Sequence, residues 1–419
     1  MTIISPPVGE ADVVPGLAAD LAPDVVIVGG GLVGGTLACA LAADGLSTVV
    51  VETATPAAML DDRFDGRASA ISLTSRRLLE AIDLWPGMAA DATPMREIRV
   101  SECASPLHLH YDHREVGDQP FGHMVENRHY RRALYARIGE LEAVTFLAPA
   151  RAASVERREA DVEVLLERGG RIRAPLVIGA EGRNSRLREE AGIRVSGWSY
   201  RQVGIVCSVD HERPHGFIAH ERFLPAGPFA ILPLKGNRSS IVWTERAERA
   251  PAIMKLDDAG FAAEVGRRFG DFLGRLSIVG PRWSYPLSLQ FAEKAIAPGL
   301  ALVGDAIHAM HPIAGQGLNM GLRDVAALSE VLAEARSLGL DLGAADVLGR
   351  YQRWRRFDNT LMLALTDGLN RLFEIDAAPV RLARDLGLAA VNVMPPVKRF
   401  FMRHAMGMVG ELPRLMRGT

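Results

Sequence analysis

Val25-Val26-Ile27-Val28-Gly29-Gly30-Gly31-Leu32-Val33-Gly34-Gly35-Thr36-Leu37-Ala38-Cys39-Ala40 decides how this chain is read. Four β-branched residues predict a buried strand, and the small residues after the glycines predict a helix that stops at Gly45. The spacing Gly29-x-Gly31-x-x-Gly34 is the dinucleotide fingerprint. Its first glycine turns the chain tightly, its second lets backbone approach a pyrophosphate, and its third lets helix pack on strand, with the helix N-terminus facing the phosphate charge. The strand Thr48-Val49-Val50-Val51 follows and ends at Glu52, where such a unit places the carboxylate that accepts from a ribose hydroxyl. Two other readings compete. Val25 to Ala43 is an uncharged run of about 19 residues, close to the roughly 20 of a membrane span, but glycines crowd its middle and a strand follows on schedule. A strand–helix–strand unit that binds nothing is the other, and the rest of the chain bears on it.

At 419 residues the chain exceeds one typical core, which predicts two or more domains. With 48% hydrophobic and 23% charged residues and a net charge of -2, it has the balance of a soluble globular protein and no general pull toward nucleic acid. Cys39, Cys103 and Cys207 are far apart and show no metal spacing, which fits a reducing cytoplasm. Met1 to Pro23 lacks a basic stretch followed by an apolar core, so residues 1–23 read as a flexible tail, not a signal peptide.

Beyond Glu52, Asp65-Gly66-Arg67-Ala68-Ser69-Ala70-Ile71-Ser72 leads into a helix over Thr74 to Ile82. Arg67 reads either as a ligand to a phosphate or flavin edge or as an ion-pair partner of Asp61, Asp62 or Asp65. Alternation at Ile98, Val100, Leu107, Leu109 and Tyr111 predicts strands of a half-exposed sheet. His108, His110 and His113 lack the carboxylate or cysteine pattern that would complete a metal site, so no metal is expected. A helix begins near Glu126-Asn127-Arg128 and runs to about Leu141. Strands follow over Ala152–Arg157, Val162–Glu167 and Leu176–Gly179. The last ends in Gly179-Ala180-Glu181-Gly182-Arg183-Asn184-Ser185-Arg186, where Asn184 or Ser185 caps a helix and the crowd of polar turn residues points to a ligand. From Tyr200 to Tyr285 alternation returns, predicting a second antiparallel region interrupted by a helix over Ala259 to Leu273. With the stretch from Arg96 to Tyr111 it would build one sheet, a substrate wall.

The strongest segment is Leu300-Ala301-Leu302-Val303-Gly304-Asp305, a buried strand ending in Gly-Asp, followed through His308, His311 and Pro312 by Gly315-Gln316-Gly317-Leu318-Asn319-Met320-Gly321-Leu322-Arg323-Asp324. A carboxylate at a strand's carboxyl edge can hold a polyol hydroxyl. The Gly315–Gly317 turn opens a helix whose free amides can hold an electron-rich ring edge. His308 and His311 read as structural hydrogen-bonding residues. The remainder is helical, with apolar residues at Leu382, Leu386, Ala389 and Val393. Its last helix, from Val397-Lys398-Arg399-Phe400-Phe401-Met402-Arg403 onward, is basic and amphipathic. That helix either packs its Phe and Met face on the protein or touches an anionic membrane or a partner.

Together, Gly29–Gly34 with Glu52, Gly179–Arg188 and Gly304–Asp324 resemble the class A flavoprotein aromatic hydroxylases. His311 to Val325, Glu221-Arg222-Phe223-Leu224-Pro225 with Gly227 to Leu234, and Arg67 to Ser72 look more specifically like the ubiquinone-biosynthesis hydroxylases. The resemblance runs from Asp24 to about Gly407. It implies an α/β fold: a Rossmann-like, para-hydroxybenzoate-hydroxylase-like FAD-binding domain with an inserted antiparallel-sheet substrate domain and a helical C-terminus. The expected division is 24–92, 125–196 and 286–345 for FAD, 93–124 and 197–285 for substrate, and 346–419 for the C-terminal helices.

By the same resemblance, Gly29, Gly31 and Gly34 hold the FAD pyrophosphate and Glu52 the ribose. Arg67 and Arg128 contact FAD, and Gly304 with Asp305 meets the ribityl chain. The backbone of Gly315, Gln316, Gly317, Leu318 and Asn319 holds the isoalloxazine ring, with Pro312, Gly315 and Gln316 positioning the reactive face. Glu181 replaces the aspartate usual in a motif associated with both FAD and NAD(P)H, and no separate nicotinamide fingerprint is present. The implied activity is hydroxylation of a polyprenylated phenol by O2 through a flavin C4a-hydroperoxide, with NAD(P)H or another donor as reductant. The implied setting is cytoplasmic, with peripheral contact at the inner face of the membrane or with other quinone-biosynthesis proteins. His220, Tyr200 and Arg201 are candidates near the substrate, none singled out as a base. The alternatives are a flavin hydroxylase of another aromatic, a flavin-dependent prenyl reductase, and a non-catalytic flavoprotein scaffold.

Overall fold

Val25–Val28 is the central strand that its β-branched residues require, with all four side chains buried. The computed structural model describes residues 20–61, 65–102, 108–309, 315–374, 387 and 390–418. Outside them lie most of the expected tail, Asp62, Cys103, Leu107, His311, Pro312, Leu382, Leu386 and Ala389. Within the expected tail, Leu21 is already fixed: its amide bonds Arg171 O at 3.0 Å and its carbonyl accepts from Arg173 N at 2.8 Å.

Six strands form the first sheet, in the spatial order Ile296–Ala297, Leu300–Leu302, Leu176–Gly179, Val25–Val28, Thr48–Val51, Val144–Leu147. All neighbours run parallel except the first pair. The helices Leu32–Ala43 and Gln316–Ser337 pack against each other on this sheet. Their shared core takes in Leu37, Leu41, Val325 and Leu328. The run that matched a membrane span in length is thus a strand, a glycine turn and a helix. Among the described residues no helix is long and apolar enough to cross a membrane.

The second large sheet has eight strands and joins the two alternating stretches of sequence. It is mixed, not wholly antiparallel, because Ile218–Leu224 runs parallel to Glu97–Glu102. Those strands come from distant parts of the chain, so no hairpin forces them antiparallel. Leu276–Ala292 pairs along its length with Val195–His211. This continuous strand crosses the boundary expected at 285/286, and its partner crosses the one at 196/197. One face of this sheet is sealed by the helices Ala250–Met254 and Asp258–Phe269, which bury Ile205, Cys207, Phe229, Ile231, Ile241 and Trp243. The other face turns toward a three-stranded sheet built from Ala68–Ser72, Gly122–Glu126 and Thr93–Met95.

Candidate functional site

Three sequence motifs converge at the carboxyl ends of adjacent parallel strands, where open α/β sheets bind ligands. Gly29 has φ +104, and a Cβ there would lie 2.4 Å from Ala180 O, so the first turn and the turn after Leu176–Gly179 are in backbone contact. Gly34 is held as tightly: a Cβ would fall 2.0 Å from Gly29 O. Gly31 is different, since a Cβ there would meet nothing within 4 Å. The glycine that should admit a pyrophosphate therefore borders open space. No side chain caps the helix that starts there, and its first turn holds no acid. The helices Pro56–Leu60, Leu73–Ala81, Arg186–Glu190 and Asp258–Phe269 each have a side-chain cap, by contrast. Glu52 accepts from Gly30 N at 2.7 Å and from Ala54 N at 2.8 Å, which fixes its carboxylate at the rim of the turn.

Asp305 is exposed just past the Leu300–Leu302 strand and has no hydrogen-bond or ion-pair partner among the described residues. Beneath it lies a buried ionic network. Asp324 accepts from Gly304 N at 3.0 Å, pairs with His308 Nε2 at 2.7 Å and takes Arg355 Nε at 2.7 Å. Burial pushes the Asp324 carboxyl upward, but His308 and Arg355 outweigh it and hold it below the usual range. His308 therefore has the structural role its sequence context indicated. Arg188, also buried, donates to Arg183 O at 2.9 Å and Ala306 O at 3.1 Å, tying the second motif to the third.

The helix Gln316–Ser337 starts from Gly315 at φ +62, again with no side-chain cap and no acid in its first turn. Asn319 holds this N-terminus to the neighbouring strand, donating to Ala70 O at 2.7 Å and accepting from Ser72 N at 2.9 Å. Its side chain is thus engaged with protein; Gly315, Gln316, Gly317 and Leu318 form the first turn beside it. Pro312, expected at the reactive face, lies outside the described residues.

Arg67 forms the ion pair its alternative reading allowed, with Asp65 at 2.8 Å. Its side chain stays 55% exposed, stands over the Tyr285 ring at 5.1 Å and feels the charge of Asp305. Asp65, expected only as one of three partners for Arg67, is buried and accepts from Arg67, Asn127 and Arg131. Burial raises its carboxyl, but the bonds to Arg67 and Asn127 and the Arg67 charge bring it well below the usual range. This cluster fixes Arg67 at the edge of the site. Arg128, in the first turn of Asn127–Glu140, reaches Glu126 at 3.2 Å. Glu181 has its carboxylate turned into the protein: it accepts from Ser185 Oγ at 2.8 Å and Leu187 N at 3.0 Å, at the start of Arg186–Glu190.

Of the candidates on the large sheet, His220 lies on the helix-covered face, where it meets Phe272 at 4.9 Å. Burial, with Arg222 and Arg99, pushes its imidazole down to about 4. Arg201 is exposed in an irregularity of the strand, at φ +54. Tyr200 packs with Leu289 and Met320, the latter on the helix that begins at Gln316. The face toward Ala68–Ser72 carries apolar side chains that are only partly covered: Ile98, Val100, Leu232, Val242 and Trp283 are all half-buried. Such a wall suits an apolar ligand set against the Gly315 turn.

Comparison with known proteins bears on what these cradles hold. The FAD binding domain family profile matches residues 22–356. Ubiquinone hydroxylase UbiL of Rhodospirillum rubrum is 54% identical over 96% of this chain and 94% of its own. The 3-demethoxyubiquinol 3-hydroxylase of Escherichia coli is 38% identical over 92% of this chain and 98% of its own. The crystal structure of p-nitrophenol 4-monooxygenase from Pseudomonas putida superposes with a TM-score of 0.76 over 92% of this chain and 98% of that one, at 18% identity, which is a likeness of fold. The residues fit FAD: open space at Gly31, an exposed Asp305 with no hydrogen-bond partner among the described residues, and two uncapped helix starts able to face electron-rich groups. Geometry and ancestry agree, and the chain belongs to the FAD binding domain family.

Proposed function

We infer that this protein is an FAD-dependent monooxygenase that hydroxylates the aromatic ring of a polyprenylated phenol in ubiquinone biosynthesis. One observation carries the reading: a half-covered apolar sheet face stands across from the uncapped helix start at Gly315, in a chain whose relatives bear ubiquinone hydroxylase names. Bound FAD supplies the oxygen-activating redox chemistry, with electrons from NAD(P)H or another donor. The chain supplies the rest. Gly31 and the amides that follow admit the pyrophosphate, Glu52 accepts from the ribose, and Asp305 from the ribityl hydroxyls. The turn at Gly315–Leu318 fixes the ring edge. The wall of Val100, Leu232, Val242 and Trp283 excludes water and holds the phenol close to it. The test is mass spectrometry of quinone lipids in cells lacking the gene. Loss of ubiquinone, with a prenylated phenol short of one oxygen, supports the assignment and identifies the step. Unchanged ubiquinone in a strain without a second hydroxylase contradicts it.

A peripheral membrane position at the inner face belongs to the same proposal. In the helix Pro395–Ala405, Met402 packs inward with Leu73, Leu109 and Phe121, and Lys398 pairs with Glu115 at 2.7 Å. Phe400 and Phe401 point outward, 48% and 37% exposed, near Arg399 and Arg403. That pattern favours contact with an anionic lipid surface, where a polyprenyl substrate would reside.

A further inference from the structure

The strand Ile218–Leu224 carries Ala219, Glu221 and Phe223 on one face. Ala219 packs with Ala68, Ala70, Met95 and Met124, so this is the face turned toward the flavin cradle. Strand register places Glu221 in a row across the sheet: Leu109, Val100, Glu221, Ala230, Val242, Val206, Trp283. Every other member of that row is apolar. The row ends at Trp283, whose ring fills the space a Cβ on Gly66 would take, next to Arg67. One residue pair along, Ala70 touches the Gly315 turn: a Cβ on Gly315 would lie 3.1 Å from the Ala70 Cβ. Glu221 is half-buried, and its carboxylate has no hydrogen-bond or ion-pair partner among the described residues.

An unpaired carboxylate in an apolar wall is costly, and its neighbours do nothing to relieve it. Other ionisable groups share this face. Glu102 lies one row on and has a partner of its own; Tyr111 is held protonated by burial; Tyr285 stands under Arg67, which is paired with Asp65. His404, on the C-terminal helix packed at the sheet edge, lies in the field of Arg323 and Asp358. None of them shifts Glu221. Burial alone pushes its carboxyl up to about 7.

We propose that Glu221 is the group that meets the phenolic hydroxyl of the substrate and takes its proton. This rests on the hydroxylase reading above. The phenol O–H bond breaks, the proton passes to a Glu221 carboxylate oxygen, and the bonding pair stays on the phenol oxygen. The ring is thereby made electron-rich, as electrophilic hydroxylation requires. When the ring regains its aromaticity the proton released from the hydroxylated carbon leaves to solvent, and Glu221 returns its own to the phenolate oxygen. An acceptor with this affinity for protons is matched to work near neutral pH.

The test uses the FAD-loaded full chain with 2-prenylphenol as probe. FAD is reduced anaerobically with dithionite, O2 is admitted, and hydroxylated phenol is quantified against time and pH. Glu221→Gln is close in shape and removes no hydrogen bond among the described residues, so its FAD spectrum and melting temperature should match wild type. Its maximal hydroxylation rate should fall by about 100-fold or more, with half-saturation by the probe little changed. The acid limb of the wild-type pH profile should vanish, and Glu221→Asp should recover part of the rate. Hydroxylation by Glu221→Gln within about threefold of wild type, with the same pH profile, overturns the assignment and leaves the hydroxylase reading intact. A raised half-saturation with an unchanged maximal rate also overturns it, making Glu221 a binding contact only. No hydroxylated probe from wild type overturns the hydroxylase reading and this inference with it.

Discussion

Gly31 and Gly34 stand three residues apart in one fingerprint, yet they answer to different demands. Gly34 cannot bear a side chain in the folded protein, because its Cβ would strike Gly29 O at 2.0 Å. Gly31 can, since its Cβ would enter open space. Gly34→Ala should therefore abolish accumulation of folded protein. Gly31→Ala should fold with a melting temperature near that of wild-type apoprotein but bind FAD about tenfold more weakly or worse, read by flavin fluorescence titration. Equal loss of folding in both variants would contradict the assignment of Gly31 to the ligand. The close approaches at Gly29 and Gly34 were legible in the sequence because the motif encodes backbone geometry. Glu181 and Glu221 were not. Glu181 stands in a ligand-like motif but is spent on Ser185 and Leu187 N. Glu221 stands between His220 and Arg222 and so resembles a solvent-facing position; only the register of neighbouring strands shows which face it occupies.

At the level of elements, the start of the helix Gln316–Ser337 is held by buried polar contacts that the sequence shows only as separate residues. Asp324 joins Gly304, His308 and Arg355, residues 51 positions apart at the extremes (355 − 304), in a site with no water access to Asp324. Asp324→Asn leaves Arg355 buried against a neutral amide and should cost about 3–5 kcal/mol, measured by urea unfolding. The pH dependence has a definite sign. Unfolded, Asp324 titrates near its ordinary 3.8, and folded it titrates lower. Its contribution is therefore complete above 3.8 and is lost as pH falls from there through the folded value. Wild-type unfolding midpoints should drop over that acid range, and the drop should be smaller in Asp324→Asn. The parallel strands and their helices were readable from hydrophobic runs and glycine turns. The strand Leu276–Ala292 was not, since Gly280, Pro281 and Pro286 interrupt its alternation and pairing with Val195–His211 overrides them.

For the whole molecule, the eight-stranded sheet turns one face toward the three-stranded sheet, and the helix Pro395–Ala405 packs at its edge. That helix divides its apolar residues, Met402 inward and Phe400 and Phe401 outward. Replacing both phenylalanines with serine should leave folding intact and reduce co-sedimentation with anionic lipid vesicles severalfold, more at high salt than at low. Equal co-sedimentation of wild type and variant would remove the membrane surface from the proposal. The resemblance to flavin hydroxylases was visible across nearly the whole sequence. That the strands around residues 97–112 and 195–292 join in one sheet was expected as well; the parallel pairing of Ile218–Leu224 with Glu97–Glu102 was not, because that pairing is non-local. The central claim is that this assembly inserts one atom of O2 into an aromatic ring. The direct measurement is mass spectrometry of the product formed from 2-prenylphenol by the reduced, FAD-loaded protein under ¹⁸O2. The account predicts one ¹⁸O in the hydroxylated ring. Label arriving from H2¹⁸O instead, or flavin reoxidation with hydrogen peroxide as the only product, would contradict it.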